Sequence, residues 1–204
     1  GIEISKIQKC FSIGMFGKNR KLVPTKWSIT ATDQIISNEL MSHVLDHEIL
    51  DQFLVFQFDH LGNIFSVILF PHRWLFEMQE AWHDKSSIVF GSDYENAKGI
   101  DHSPKIAGAY FAGKLAVIEY LEKIQKQSGV MIFREIQPEY AVPVGVWQVR
   151  EGIREAMKSS PQEVFSLNEA IDFATKRMSI SKNEWISHGN MLKLVEQTSL
   201  SDFF

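Results

Sequence analysis

The stretch FLVFQFDHLGNIFSVILF, residues 53–70, decides the fold of this 204-residue chain. Two runs rich in aromatic and β-branched side chains flank a short turn-forming segment, residues 60–63, that contains a glycine. Runs of this kind on both sides of a turn are typical of a β-hairpin. The next run, RWLFEMQEAW, places Trp74, Phe76 and Met78 on one alternate face, which predicts a third strand. A short helix is the alternative for this run.

Three further elements follow from hydrophobic pattern. KIAGAYFAGKLAVIEYLEKIQKQ, residues 105–127, predicts a helix whose small residues allow close packing against a neighbour. VMIFREI, residues 130–136, predicts a buried strand, and WQVREGIREAMKS predicts a helix from near Gly145. The polar residues 84–104 between the third strand and the first of these helices predict a long loop.

Capping patterns predict the remaining helices. Thr30 lies three residues before Asp33 and is predicted to cap a helix in the segment WSITATDQIISNELMSHVLD. Residues 1–27, which precede this segment, are predicted to be irregular. Ser166 and Ser181, each three residues before a glutamate, predict capping boxes for helices over 167–177 and 182–195. We therefore expect an α+β fold: a small, mostly antiparallel sheet packed with helices, a helical C-terminal quarter and a flexible C-terminal tail.

Composition limits the function. The single cysteine, Cys10, allows neither a disulfide within the chain nor a cysteine-based zinc site, which fits a reducing, cytoplasmic compartment. No run of roughly 18 apolar residues is present, so a membrane span is not expected. The net charge is −4, yet the first 27 residues carry six Lys or Arg and one Glu. This asymmetry indicates a local anion-binding patch or, equally, a solvated basic face.

The densest part of this basic region is RKLVPTKWS, residues 20–28. Arg20, Lys21 and Lys26, with backbone N–H groups at the start of the predicted helix, would hold phosphates. Trp27 would stack on a base. In the alternative interpretation Trp27 belongs to the core and the cations surround it.

Polar residues on and after the predicted strand 130–136 are the second candidate site. Arg134, Glu135 and Glu139 are ionisable groups at or near a buried strand, where an unpaired charge is costly. We favour an internal salt-bridge network. The alternative is a site in which paired carboxylates carry out acid–base chemistry or bind a metal. The chain has no phosphate-binding loop, dinucleotide-binding glycine motif, nucleophile elbow or HExxH motif.

Histidines give only weak indications. His43 and His47 are four residues apart on a predicted helix and so share a face, but Glu48 would point elsewhere. We therefore favour a solvated face and predict no metal site. The histidines of the strand and loop region, which are His72, His83 and His102, are expected to be surface residues. The alternative is that they converge near the acids of the same region, which are Glu77, Glu80, Asp84, Asp93 and Glu95.

The last eight residues, QTSLSDFF, place Gln197, Leu200, Phe203 and Phe204 in the pattern Q-x-x-L-x-x-F-F. This pattern resembles the PIP box, the peptide by which repair proteins bind the sliding clamp PCNA. One 3₁₀ turn brings Leu200 and Phe203 to one side, and Phe204 adds a second ring to the apolar plug. Gln197 supplies a separate hydrogen-bonding group.

Three longer segments are similar to the archaeal Nre family of DNA-repair proteins: RKLVPTKWSITATDQIIS, AGAYFAGKLAVIEYL and REIQPEYAVPVGVWQVRE. The resemblance implies the end of an N-terminal region with a basic linker over 1–27, a C-terminal α+β domain over 28–195 and a PCNA-binding tail over 196–204. It implies a chromosome-associated repair factor that binds PCNA, with no assigned cofactor. The contact with DNA is an expectation from the basic residues of the segment 20–28. Lys26 stands where the family leads us to expect Arg. The alternative function is an enzyme acting on nucleotides or damaged DNA at Arg134, Glu135 and Glu139.

Overall fold

The computed structural model describes residues 3–84, 87–100, 102–140 and 145–195. The tail positions 197, 200, 203 and 204 lie outside these residues, so the structure does not bear on the PIP-like pattern. The elements in chain order are α1 (Ile4–Ser12), α2 (Thr25–Val44), β1 (Glu48–Ile49), β2 (Phe53–His60), β3 (Asn63–Phe70), β4 (Leu75–Asp84), β5 (Ser87–Asn96), α3 (Ala107–Ile124), β6 (Lys126–Gln127), β7 (Gly129–Ile136), α4 (Trp147–Lys158), β8 (Gln162–Val164), α5 (Leu167–Thr175) and α6 (Lys182–His188).

A six-stranded sheet organises the chain, in the order β5-β4-β7-β3-β2-β8. The predicted hairpin is confirmed as β2 and β3, which pair antiparallel from Leu54 opposite Leu69 to His60 opposite Asn63. Gly62 turns the chain at φ 72°, a conformation that favours glycine. The predicted third strand is confirmed as β4, and β7 lies between β3 and β4. Within the six-stranded sheet, the β4–β7 pair is the one parallel pairing of the described residues, since α3 carries the chain across the sheet between them; β1 and β6 form a separate parallel pair.

Helices cover both faces of this sheet. The larger apolar core packs α2, α3 and α4 on one face, and the smaller one packs α5 and α6 on the other. Because both faces are covered, every residue of β3 and β7 is buried, and their sequences read as nearly continuous apolar runs. The expected α+β class is therefore confirmed. No helix in the described ranges is long and apolar enough to cross a membrane.

Three predictions of local structure are wrong. The expected loop 84–104 contains β5, an edge strand whose exposed face has no apolar alternation to reveal it. Residues 4–12 form α1 within the region expected to be irregular. Helix α2 begins at Thr25, directly after Pro24, because proline at a helix start loses no intrahelical hydrogen bond. Thr30 is inside the helix, where its hydroxyl donates to the carbonyl of Lys26.

The helical C-terminal quarter is confirmed as far as the described residues reach. Ser181 accepts from the N–H of Glu184, and the Glu184 carboxylate accepts from the N–H of Ser181, so this capping box is complete. Ser166 caps α5 through the N–H of Glu169, but the Glu169 carboxylate accepts from the N–H of Phe165. The predicted continuous helix over 182–195 is also wrong, because α6 ends at His188 and residues 191–195 form a separate helical turn.

Candidate nucleic-acid interface and an adjacent polar cavity

The segment between α1 and α2 forms a surface of exposed cations and exposed apolar side chains, which we call the basic surface; it comprises Phe16, Lys18, Arg20, Lys21, Leu22, Lys26 and Trp27. Lys18, Arg20 and Lys21 line a cavity of about 400 Å³ together with carbon atoms of neighbouring apolar residues. Within the described part of the chain, none of the four cations has an ion-pair partner. All of them are therefore available to an external anion.

Backbone geometry fixes the shape of this segment. The N–H of Val23 donates to the carbonyl of Ser12 at 2.9 Å, so the segment folds back onto the end of α1. Gly14 has φ 68°, and a Cβ there would lie 2.3 Å from the carbonyl oxygen of Lys21, so no other residue fits. The hydroxyls of Ser12 and Ser28 lie 2.6 Å apart and join the segment to α2.

The first turn of α2 reinforces the positive character of the basic surface. It contains Lys26 and no acidic residue, so no side-chain carboxylate of that turn offsets the positive end of the helix dipole. Free N–H groups at such a helix end favour phosphate. Trp27 is 62% exposed and therefore is not a core residue. The structure thus brings Arg20, Lys21, Lys26 and Trp27 to one connected surface segment.

The structure separates the second predicted set of residues. Arg134 faces the α3–α4 side, where it pairs with Glu80 at 2.5 Å and donates to Asn63 at 2.7 and 3.0 Å. Glu135 is the next residue on the same strand and therefore faces the opposite side of the sheet. Glu139 is exposed after the end of β7. These three groups do not converge on one cleft.

Glu135 instead holds the connection between α5 and α6. Its carboxylate is fully buried and accepts from the backbone N–H groups of Ser179 and Ile180 at 3.1–3.3 Å, and from the Ser179 hydroxyl. His83 lies 3.0 Å from the same carboxylate, and Gln137 donates to it. Among the described residues no Lys or Arg pairs with Glu135, and this set of donors accounts for its burial.

Two other buried acids depend on specific partners. Asp33 of α2 pairs with Arg150 of α4, yet burial raises the pKa of Asp33 to about 6 against the opposing effect of the guanidinium. Burial likewise raises the pKa of Glu80 above its ordinary value, although Arg134 favours the charged form. The internal ion pair expected of Arg134 is therefore present, with Glu80 as its partner, and Arg150 pairs with Asp33 and also contacts Glu151.

The histidines are distributed rather than gathered. His43 and His47 both contact Glu122 of α3, at 3.2 and 3.0 Å, while Glu48 pairs with Lys126. Elsewhere, His102 lies 3.3 Å from Asp93 and His72 contacts the carbonyl of Arg73. In the described ranges, no group of three or more His, Cys, Asp or Glu side chains has the arrangement needed to hold a metal ion.

Beside α2 lies a cavity of about 310 Å³, which we call the polar cavity. Its lining comes from α2, α3, the start of β4, the end of β5 and the turn after β5; it comprises Gln34, Asn38, Met41, Trp74, Glu95, Asn96, Ala97, Lys98, Gly99, Ile100, Phe111 and Lys114. Lys114 and Glu95 form an ion pair of 2.6 Å, and their side chains are 7% and 1% exposed. A buried ion pair at the wall of a cavity is a recognised feature of functional sites.

Sequence reasoning missed Lys114. The residue is the single cation in AGAYFAGKLAVIEYL, a helix segment that is otherwise almost wholly small or apolar. A lone charge in such a segment needs a buried partner, and that partner is Glu95, which also accepts from the Trp74 indole at 3.1 Å and the Tyr110 hydroxyl at 2.8 Å. Burial and the adjacent Glu95 raise the pKa of Tyr110, so its hydroxyl remains a donor.

The fold and site define an α+β protein with an exposed cationic surface and an adjacent polar cavity. Comparison with known proteins gives the family: residues 95–203 match the profile described as archaeal Nre, C-terminal, and residues 1–88 match archaeal Nre, N-terminal. The chain belongs to the archaeal Nre family. No solved structure matches it significantly.

Curated relatives match along the whole chain. It is 38% identical to a protein named DNA repair protein NreA from Archaeoglobus fulgidus, over all of this chain and 52% of the relative. It is 34% identical to DNA repair protein NreB of the same organism, over 54% of that relative, and 31% identical to DNA repair protein NreA of Haloferax volcanii, over 51%. The chain therefore spans about half the length of these relatives.

Proposed function

We propose that this chain is part of a DNA-repair factor that is recruited to the sliding clamp PCNA and contacts DNA through its basic surface. The names of the relatives support the repair role. The observation that carries the clamp proposal is the match of QTSLSDFF to Q-x-x-L-x-x-F-F at all four defining positions. The factor acts in the cytoplasm, at the chromosome.

In this proposal the tail is a tether. Phe203 and Phe204, with Leu200, fill an apolar pocket on PCNA, and buried aromatic side chains contribute most of the affinity of such contacts. Gln197 adds a hydrogen bond. Binding to a clamp that encircles DNA raises the effective concentration of the basic surface near the duplex, which compensates for weak DNA affinity.

The DNA contact rests on the unpaired cations. Arg20, Lys21 and Lys26 have no ion-pair partner among the described residues, and Trp27 presents its indole to solvent beside them. Cations bind phosphates without sequence preference, and an exposed indole stacks on any base. A repair factor needs this kind of recognition because lesions occur in any sequence.

The clamp contact is tested by calorimetric titration of PCNA with the full chain. Replacing both Phe203 and Phe204 with Ala should weaken binding by about 100-fold or more, since each anchor of this type contributes about 2 kcal/mol. The control is Thr198→Ala with Ser199→Ala, which changes two spacer positions of the same tail. Equal affinity of the Phe variant and the wild type would refute the clamp proposal.

The DNA contact is tested separately by fluorescence anisotropy over a salt series. The double variant Arg20→Glu, Lys21→Glu should bind duplex DNA more weakly, and the slope of log affinity against log salt should fall by about 0.9 for each lost phosphate contact. Lys176→Glu with Arg177→Glu is a matched control, because it reverses one Lys and one Arg exposed at the end of α5. If both variants bind DNA like the wild type, the basic surface is not the DNA contact.

The geometry does not favour an enzyme centred on Arg134, Glu135 and Glu139. Arg134 and Glu135 point to opposite faces of the sheet, and both are held by internal partners. General acid–base catalysis needs its groups within reach of one substrate.

A further inference from the structure

The polar cavity contains an ammonium group with unused donors. Among the described residues, Lys114 contacts one charged partner, Glu95, although an ammonium has three N–H donors. Glu95, in contrast, receives contacts from Trp74, Tyr110 and Lys114. Lys114 is 5% exposed and lines the cavity, so its remaining donors are available to a group that enters.

The mouth of the cavity has hydrogen-bonding groups of both kinds. Gln34 and Asn38 are exposed on α2, and within the described part of the chain their side-chain amides have no hydrogen-bond partner. Each amide offers donors and an acceptor. Phe111 adds an aromatic wall, which suits a flat ligand.

The turn after β5 closes the cavity on its outer side. The N–H of Gly99 donates to the carbonyl of Asn96 at 2.8 Å, and Gly99 adopts φ 79°, which favours glycine. A Cβ at this glycine would have no heavy atom within 4 Å, so the turn is not packed tightly on its outer side.

Charge decides which ligand fits. Glu95 compensates Lys114, so the floor of the cavity is close to neutral, and Lys98 at the rim is the other cation of the lining. A doubly charged phosphate would lie beside the Glu95 carboxylate. A neutral heterocycle with carbonyl and N–H groups on one edge matches the ammonium and the two amides. The volume of about 310 Å³ is at the lower end of the range for small-molecule sites.

Helix α2 connects the cavity to the basic surface. Trp27, Gln34 and Asn38 are separated by seven and four residues, so they lie on the same face of α2. Seven residues correspond to about 10 Å along a helix. A strand held at the basic surface therefore passes close to the mouth of the cavity.

We propose that the polar cavity binds one unpaired nucleobase of the DNA held by the basic surface. This inference rests on the DNA contact of the proposed function. Lys114 donates to a carbonyl of the base, and Gln34 and Asn38 bond to its edge. Proteins that recognise single bases bind them outside the stack in this manner, and a base that is already unpaired costs least to extrude.

The test compares two labelled duplexes that differ at one position, where one has an unpaired base and the other has an abasic analogue. With the full chain, anisotropy should show about tenfold tighter binding of the duplex with the unpaired base, as expected for one bound base. Gln34→Ala with Asn38→Ala, and separately Ala97→Trp, which fills the cavity from its rim, should reduce this ratio to about one. Glu39→Ala, exposed on α2 but absent from the lining, is the control and keeps the ratio.

The outcomes separate this inference from the proposed function. Tight binding of both duplexes with a ratio of one in the wild type overturns the inference and leaves the DNA contact in place. A ratio that persists in both cavity variants also overturns it. Failure to bind either duplex, in turn, shows that the DNA contact itself is wrong, and the inference falls with it.

Discussion

The Asp33–Arg150 pair makes the stability of this protein depend on pH in an unusual direction. Asp33 is fully buried between α2 and α4, where Gln8 donates to one carboxylate oxygen and the other, Oδ2, has no partner among the described residues. Burial raises its pKa from 3.8 to about 6. Between these values the folded state holds the proton while the unfolded state releases it. Raising the pH therefore destabilises the fold, and the loss is complete above the folded pKa.

The size of this effect follows from the two pKa values. A difference of about two corresponds to about 3 kcal/mol, because each pKa unit is worth about 1.4 kcal/mol. Asp33→Asn removes the titration and keeps the shape. Its free energy of unfolding relative to wild type should therefore rise by about 2–2.5 kcal/mol between pH 4 and pH 7, because the rest of the effect lies below pH 4. Breaking the pair also removes the buried partner of Arg150 and leaves its longer contact with Glu151, but that penalty does not cancel the change with pH.

Urea denaturation followed by tryptophan fluorescence measures this difference at several pH values. Glu39→Gln, on the exposed side of the same helix, reports the effect of removing a solvated charge. The reasoning is refuted if the relative stability of Asp33→Asn is constant with pH. It is also refuted if that stability falls as the pH rises, because the guanidinium would then outweigh burial.

Three further predictions concern stability, each measured as a change in the free energy of unfolding. Gly152→Ala should cost about 1–3 kcal/mol, because a Cβ there would lie 2.5 Å from the ring of Phe65 in the core; full stability would show that the ring moves aside freely. Ser181→Ala should cost about 1 kcal/mol through loss of the cap of α6, and no loss would mean that the cap is dispensable. Glu135→Ala should cost about 3 kcal/mol or more by orphaning the N–H groups at Ser179, whereas a small loss would mean that water replaces the carboxylate.

Helices and strands whose apolar residues follow one clear repeat were predictable from sequence. The hairpin β2–β3 and the helix α3 have long apolar patterns and clear turn or small-residue signals. Strand β5 was missed because its serine, aspartate and asparagine side chains resemble a loop, although its residues 88–90 are apolar. It pairs antiparallel with β4, the strand that directly precedes it in the chain, from Asp84 opposite Ser87 to Leu75 opposite Asn96.

Of the two candidate sites, the basic surface was predictable from sequence and the polar cavity was not. The cluster Arg20–Trp27 is contiguous, so its proximity follows from the chain itself. The polar cavity is built from four separate segments of the chain, and only the fold brings Lys114 to Glu95. The opposite error concerned Arg134 and Glu135: adjacency in sequence suggested one site, but adjacent residues of a strand point to opposite faces.

The position of β7 has a consequence for how the chain is made. β3 and β4 belong to the segment that matches the N-terminal family profile, while β7, the strand between them, belongs to the C-terminal one. During synthesis, the first 88 residues have β3 and β4 without the strand that joins them. The sheet is complete only when β7 and then β8, which ends at Val164, have been added. The border between the two family profiles therefore does not separate two independent folding units. Strand β7 from the C-terminal profile pairs with β3 and β4 from the N-terminal one.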